Sequence, residues 1–358
     1  MFVSALWLNT LLLFLTALNA LTMRRPSPTR EISASAAVLL PVRDEEENVE
    51  RISDELLAQT GIENLRILLI NDNSSDRTEE IARHFESASF TVINASEPQA
   101  GIIGKVNALQ QGLESFGEEL PQFIIAIDAD VSFTPEAISR AIATIEDLHL
   151  DFISAYPAQK ALTIGERLIQ PLLQWSWMST LFLRGAEKFP LQSTVVANGQ
   201  FFIARSTSLR SIGGFTPAAH HVLDDMQLAR ALVSGGFKGT VINGSTLATT
   251  RMYSTWSQIK RGYGKSLHRA FGGVFGSIIA TIFFIASGVA PLFGALIGDE
   301  YALFALLAII ASRFIAAAVT SSRIGDAILH PISSLAFLYL LYYSWAHRRS
   351  AQWKGRTL

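Results

Sequence analysis

Two stretches of this chain carry almost no charge, and between them lies one that carries nearly all of it. Of the 60 charged residues in 358, 51 fall within residues 24–270, and the other 111 positions share nine. Phe2–Leu21 is an uncharged run of 20 residues, followed at once by Arg24 and Arg25. About 20 apolar residues make a helix that spans the hydrocarbon core of a bilayer, and flanking arginines favour the cytoplasmic side. A cleaved leader is the alternative. Against it, the run is long for an h-region, no positive charge precedes it and no small-residue cleavage site follows cleanly. A second apolar region supplies three more candidate spans: Phe271–Gly298 with Pro291, Tyr301–Ser322 interrupted by Arg313, and Ala327–Ala346 with His330 and Pro331.

The expected organisation is therefore an N-terminal transmembrane anchor (1–23), a polar domain (24–270), and a C-terminal membrane domain with a basic tail (271–358). Four crossings would put the tail residues Arg348, Arg349, Lys354 and Arg356 on the side opposite Arg24, against the positive-inside tendency. One C-terminal segment is thus a candidate for a re-entrant or interfacial path, and the one holding Arg313 is the first suspect. An intramembrane charge of this kind is either paired, snorkelling, or in contact with a headgroup. The whole-chain averages, 17% charged with mean hydropathy +0.29, blend these parts and exclude a plain cytosolic protein and a disordered chain. With no cysteine, disulfide scaffolds and thiolate chemistry are excluded. A net charge of −2 offers no concentrated basic face for nucleic acid.

Within the polar domain, Ala36–Pro41, Leu65–Ile70, Val92–Ile93 and Phe123–Ile127 read as short buried strands. Helical spacing follows at 48–58, 76–85 and 105–113. Strands alternating with helices predict a mostly parallel mixed sheet covered on both faces, whose ligands bind beyond the carboxyl ends of the strands. Polar clusters sit at those ends: Arg43-Asp44-Glu45, Asn71-Asp72-Asn73-Ser74 and Asp128-Ala129-Asp130. Two aspartates at i and i+2 after a buried strand can converge on Mg2+ or Mn2+, which bind through one or two carboxylates plus phosphates and water. Alone, D-x-D is common in solvated turns; its place after FIIAI favours the metal reading. Asp72 stands where a carboxylate can accept from a nucleobase imide, and its alternative, like that of Asp76, is turn formation and capping. Lys105 opens a helix whose N-terminus favours anions. Asp224 and Asp225 head another helix, where negative charge is ordinary dipole complementarity or, in a sugar transfer, the base that takes the acceptor proton.

Taken in order, Pro41-Val42-Arg43-Asp44-Glu45-Glu46, Asn71-Asp72, Gly104-Lys105-Val106-Asn107, Asp128-Ala129-Asp130 and Asp224-Asp225 resemble the motifs of family 2 glycosyltransferases over residues 36–265. The resemblance implies a GT-A fold and an inverting transfer from a nucleotide-sugar, UDP-linked by preference. It implies that Pro41, Val42, Glu45 and Asp72 line the donor nucleoside, with Asp72 at the base. Asp130, with Asp128 behind it, would hold Mg2+ or Mn2+ on the diphosphate, and Lys105 would lie on the donor side. Asp225 would be the general base, with Asp224 beside it. Two positions depart from the family pattern: Asn71 and Asp224 replace the first residues of the usual D-D and E-D pairs.

Gln258-Ile259-Lys260-Arg261 only partly matches the Q-x-x-R-W motif of processive synthases, since Gly262 replaces the tryptophan. Arg251-Met252-Tyr253, Arg261-Gly262-Tyr263-Gly264-Lys265, His330-Pro331 and the terminal Trp353-Lys354-Gly355-Arg356 look more like membrane enzymes that glycosylate carotenoid acids, with relatives linked to hopanoids. Their resemblance implies a lipid or terpenoid acceptor. Arg261 and Lys265 would meet either the leaving diphosphate or anionic headgroups. Residues 162–184, rich in tryptophan, read as an interfacial helix or as a core helix of the acceptor half, with Trp175 an acceptor candidate. Asn198 and Gln200 are acceptor candidates beside their structural alternative. The whole reads as an integral protein of a bacterial-type cell membrane with its catalytic domain cytoplasmic. Its rivals are a processive synthase or polyprenyl-phosphate sugar transferase, and a non-catalytic nucleotide-binding scaffold.

Overall fold

The structure, a computed structural model, describes residues 2–348, 352–353 and 356–357; Arg349, Lys354 and Gly355 of the tail lie outside the described residues. The chain divides into two compact units. One comprises residues 24–158 and 185–250, and the other Met1–Met23, Gln159–Arg184 and Arg251–Thr357.

The first unit is built on a seven-stranded sheet. Its strands β1 (Ala36–Val42), β2 (Leu65–Asn71), β3 (Phe90–Asn94) and β4 (Phe123–Ile127) pair in parallel in the order β3-β2-β1-β4. The sheet continues through Phe201–Arg205, antiparallel to β4, then Phe152–Tyr156 and Gly239–Asn243. The run AAVLLPV explains the middle position of β1: Ala36 through Leu40 are fully buried. Side chains alternate faces along a strand, so Val38, Leu40, Leu69 and Ile125 enter one core, whereas Ala37, Leu39, Leu68 and Ile124 enter the other. Helices cover both faces, as the expected mixed sheet requires. Truncating Leu39 or Leu40 to alanine would cost about 2–5 kcal/mol.

The second unit holds four helices long and apolar enough to cross a membrane: Phe2–Thr22, Val274–Leu296, Glu300–Val319 and Ile324–Ala346. The first is less uniformly apolar than its composition suggests. Ala5, Asn9, Leu12, Thr16 and Asn19 form one buried face at three- and four-residue spacing. Asn9 donates to the carbonyls of Ser287 and Ala305, at 2.9 Å each, and Thr16 shares a 2.7 Å bond with Ser312. Interhelical bonds of this kind hold apolar helices together where no water competes. Glu300–Val319 runs as unbroken helix through Arg313. Its 20 residues reach about 30 Å, so its backbone shows none of the interruption expected of a re-entrant segment.

Residues 159–184 and 251–270, expected in the polar domain, belong to this helical unit. Their buried side chains Ile169, Leu172, Trp175, Met178, Ile259, Tyr263 and Leu267 share one apolar cluster with Leu12, Phe284, Ile309 and Phe337. The helix expected over 162–184 spans Ile164–Thr180, is N-capped by Thr163 and is a core element of this unit rather than a surface one.

Candidate active site

Because β1, β2 and β4 are parallel neighbours, their carboxyl ends open on one rim; Val42 pairs directly with Asn71. The loops there are tightly wound. Asp44 and Asn73 adopt left-handed backbone (φ 49° and 55°), a conformation Asp and Asn tolerate better than most residues. The Asp44 carboxylate accepts the Ser75 amide at 2.7 Å, and the Glu45 amide donates to Thr78 Oγ1 at 2.7 Å. Asp76 accepts from the Thr78 amide at 2.9 Å and the Glu46 amide at 3.1 Å, so its carboxylate closes a turn. Asp72 is buried one residue past β2, its amide bound to the Val42 carbonyl at 2.8 Å. The Arg43 guanidinium donates to the Asp72 carbonyl at 2.9 Å.

At the end of β4 the Asp128-Ala129-Asp130 turn is pinned from outside by Arg51, which donates to the carbonyls of Ala129 and Val131 at 2.9 and 2.8 Å. Nothing in the sequence pointed to Arg51. At the centre of the rim stands Lys105, second residue of the Gly104–Glu114 helix. Its Nζ lies 2.6 Å from Asp128 Oδ1 and 3.6 Å from Asp224 Oδ2. Asp225, next in the first turn of the Asp224–Ser234 helix, accepts the Gly199 amide at 2.8 Å and its neighbour Met226's amide at 2.7 Å. Lys105 thus joins the D-A-D turn to the paired aspartates. Burial would lower its pKa, but Asp128 and Asp224 outweigh it and hold the ammonium charged well above the usual lysine range. Burial and then Asp224 push Asp225 up to about 7. Burial, then Asp128 and Glu45, push Asp130 up to about 7 as well, and Asp130 Oδ1 is buried with no hydrogen-bond partner.

Comparisons with known proteins bear on the domain that carries most of this rim. The family described as Glycosyl transferase family 2 matches residues 37–212. The chain carries a family 2 glycosyltransferase domain. It is 27% identical to the glycosyltransferase AglE of Haloferax volcanii over 120 residues, 33% of this chain and 37% of that protein. It is 24% identical to the 4,4'-diaponeurosporenoate glycosyltransferase of Staphylococcus haemolyticus over 230 residues, 62% of this chain and 58% of that protein. The chain therefore spans less than two thirds of the length of either relative. A solved structure of the mannosyltransferase PcManGT from Pyrobaculum calidifontis, in complex with GDP-Man and Mn2+, superimposes with a TM-score of 0.55. That likeness is at 14% identity and covers 97% of this chain and 99% of that one. It is a likeness of fold, and it bears out the GT-A-type sheet with one N-terminal and three C-terminal apolar helices.

Within the glycosyltransferase domain the loop Ala197–Gln200 supports Asp225 through the Gly199 amide. Asn198 Oδ1 accepts the Gln200 amide at 2.8 Å, and the Asn198 amide and carbonyl both bond Ser154 Oγ, at 2.7 and 3.0 Å. Gln200 Nε2 donates to Thr250 Oγ1 at 3.1 Å. These bonds hold the turn that aims the Gly199 amide at Asp225, which is the structural alternative to acceptor contact. A Cβ at Gly199 would lie 3.3 Å from both Asp225 Cβ and Lys105 Nζ. Gly199→Ala should displace both by a few tenths of an ångström and lower transfer about tenfold with little change in melting temperature; full activity would remove Gly199 from the site's construction.

The other candidates fall in the helical unit. Arg261 is exposed on the Trp256–Gly264 helix, and Lys265 is its C-cap. Gln258, the first residue of the partial synthase motif, closes a capping box with Thr255, so it has a local structural task. Trp175 is 1% exposed, donates to Ser312 at 2.8 Å and packs edge-on against His330. That enclosure removes it as an acceptor contact.

Proposed function

We propose that the chain is an inverting glycosyltransferase that moves one sugar from a nucleotide-sugar to a hydrophobic lipid or terpenoid acceptor at the membrane. The observation that carries this reading is the bridge from Asp128 through Lys105 to Asp224, which sets Asp225 beside the D-A-D turn. Asp225 is the general base: two amides orient its carboxylate, and a carboxyl group near 7 is matched to proton transfer at neutral pH. The acceptor oxygen attacks the anomeric carbon and gives its proton to Asp225. The bond from that carbon to the diphosphate oxygen breaks, and the nucleoside diphosphate leaves. Glu45 and Asp72, on the rim, suit the nucleoside, with Pro41 and Val42 at the end of β1 beneath it.

The residues present fit a divalent cation. Asp130 offers a buried carboxylate oxygen with no partner, and Asp128 is two residues away. Among the described residues no group of three His, Cys, Asp or Glu could hold a metal unaided, so Mg2+ or Mn2+ would complete its shell with donor phosphates and water. When bound, the ion would neutralise charge on the departing diphosphate. PcManGT, the structural relative, binds Mn2+ and GDP-Man, while the acceptor class is supported by the name of the diaponeurosporenoate relative and by the four apolar helices. Arg24 and Arg25 after the first of these support a cytoplasmic catalytic face.

Membranes containing the protein, incubated with labelled UDP- and GDP-sugars, should move label into the lipid fraction from one donor. EDTA should stop this, and added Mn2+ or Mg2+ should restore it. Transfer indifferent to EDTA would remove the metal from the mechanism.

A further inference from the structure

Four crossings would leave the basic tail on the side opposite Arg24, yet the packing of the helical unit runs its last helix another way. Phe2–Thr22 and Glu300–Val319 are parallel and in step. Asn9 bonds the Ala305 carbonyl at 2.9 Å and Thr16 bonds Ser312 at 2.7 Å, the two contacts lying seven residues apart on each helix. Val274–Leu296 runs against both. Asn9 also bonds the Ser287 carbonyl at 2.9 Å, and a Cβ on Gly294 would stand 2.7 Å from Phe2 Cε1 and against Ala302. Thr22, Val274 and Val319 therefore mark one side of the bundle, and Leu296 and Glu300 the other.

The last helix, His330–Ala346, is antiparallel to Val274–Leu296. Trp345 Nε1 donates to Ser277 Oγ at 2.9 Å, and the rings of Phe337 and Phe284 stand 4.3 Å apart. Further in, a Cβ on Gly288 would collide with Ser334 and lie 3.3 Å from His330 Cδ2. Eleven residues separate Ser277 from Gly288, and eleven separate Ser334 from Trp345. Ser344 Oγ donates to the Gly264 carbonyl at 2.7 Å and accepts the His268 amide at 3.0 Å; both partners precede the Val274–Leu296 span. Ala346 thus lies on the side of Val274. His330 lies at the level of Gly288, eight residues or about 12 Å short of Leu296. The helix starts inside the bundle and leaves by the side on which Val319 ended.

Residues 320–329 make the descent. Ile324–Leu329 is a 3-10 turn about 12 Å long, and its side chains sort by chemistry. Ile324 and Ile328 are exposed, whereas Asp326 is buried and accepts from Arg167 at 2.6 Å. Irregular backbone at membrane depth is tolerated where protein covers it, and here Trp175 packs against His330 while bonding Ser312. Pro331 sits in the first turn of the helix, where its missing N–H costs no bond. Arg313, the charge that made Glu300–Val319 the first suspect, is buried with its guanidinium carbon 5.8 Å from the Trp175 ring centroid.

We propose that residues 320–346 form a re-entrant hairpin that enters and leaves the membrane on one side, so that the chain crosses three times. The 23 residues of Ile324–Ala346 are long and apolar enough to cross, but their first turn is spent returning to mid-depth. Charge agrees with this path. The tail cations Arg348, Arg349, Lys354 and Arg356 fall on the side of Thr22 and of the two arginines that follow it, as the positive-inside tendency requires. At the exit of the hairpin Lys260 Nζ lies 5.0 Å from the Tyr343 ring centroid, and Arg261, Arg269 and Arg348 are exposed. No acidic residue occurs in 251–298 or after Asp326. Charge of one sign thus collects where an anionic leaflet attracts it. This topology is independent of sugar transfer.

Because the chain has no cysteine, single cysteines report sidedness directly. Ile297→Cys, at a position 64% exposed between the second and third spans, and Ser350→Cys, in the tail, are each expressed in the full chain. Cells are treated with a membrane-impermeant maleimide before and after permeabilisation. Ile297→Cys should label in intact cells and Ser350→Cys only after permeabilisation. The reverse pattern upholds the hairpin and inverts the orientation of the helical unit. Labelling of both from the same side overturns it, because a fourth crossing returns the tail to the side of Ile297. Ala351→Cys repeats the tail reading if Ser350→Cys does not fold.

Discussion

Asp225→Asn is expected to lower sugar transfer by about a hundred- to ten-thousand-fold, the range for losing a positioned general base, while nucleoside diphosphate binding survives. Asparagine keeps an oxygen for the Gly199 amide (2.8 Å in the wild type) but cannot take the acceptor proton. The same carboxyl group fixes two pH dependences. Only its ionised form is a base, and burial with Asp224 pushes it up to about 7. Wild-type kcat/KM should therefore rise with pH and level off above about 7. Stability runs the other way. A carboxyl group that holds its proton more tightly folded than unfolded favours the native state at low pH. That contribution is lost as pH rises from about 4, the unfolded value, through the folded value of about 7. Because asparagine does not ionise, Asp225→Asn should melt higher than wild type at pH 8, less so at pH 5, and close to it only below about pH 4, the unfolded value. Normal turnover in the variant would end the base assignment; loss of nucleotide binding together with activity would recast Asp225 as a donor-site residue.

Lys105→Met should be damaging for a different reason. The ammonium is the countercharge closest to Asp128 and Asp224, at 2.6 and 3.6 Å. Its removal leaves Asp128, Asp130, Asp224, Asp225 and Glu45 facing one another across a largely buried rim. Breaking a buried pair by deleting one partner costs about 3–5 kcal/mol. The low end applies here, because the Asp128 side chain remains 31% exposed and water screens it. The expected outcome is a clear fall in melting temperature near neutral pH, relieved as the carboxylates protonate on acidification, together with loss of transfer. Lys105→Arg should not rescue activity, since even a methyl group on Gly199 would stand 3.3 Å from Nζ. A stable, active Lys105→Met protein would mean that the bridge does not organise the site.

Several parts of this structure are legible one residue at a time. The apolar run of β1 marks a strand buried on both faces, and FIIAI followed by Asp128-Ala129-Asp130 marks a polar strand end. Asn71-Asp72 and Asp224-Asp225 are readable as motifs. What sequence cannot show is convergence. Lys105, Asp128 and Asp224 are distant along the chain, and only the order of strands and the packing of two helices bring their charges together. Arg51 and Gly199 act through backbone groups, which leave no side-chain pattern. Phe152–Tyr156 and Gly239–Asn243 are five-residue strands too short to display a period. The boundary of the polar domain is obscured for a related reason. The helix at Ile164–Thr180 carries Arg167, Gln170 and Gln174, so its composition looks aqueous, yet Gln170 and Gln174 are buried with Ile169 and Leu172. In the same way, Asn9, Thr16 and Asn19 vanish into the average of an apolar helix although they are what bonds it to its neighbours.

The central claim is that an aqueous carboxylate rim serves an acceptor drawn from the bilayer, one sugar at a time. Mass spectrometry of the lipid product tests it most directly. Membranes carrying the wild type, given the labelled nucleotide-sugar that supports transfer and a native lipid extract, should yield a lipid or terpenoid heavier by a single sugar residue. Membranes carrying Asp225→Asn should yield none. A polymer ladder, or label recovered only as free sugar, would contradict the account.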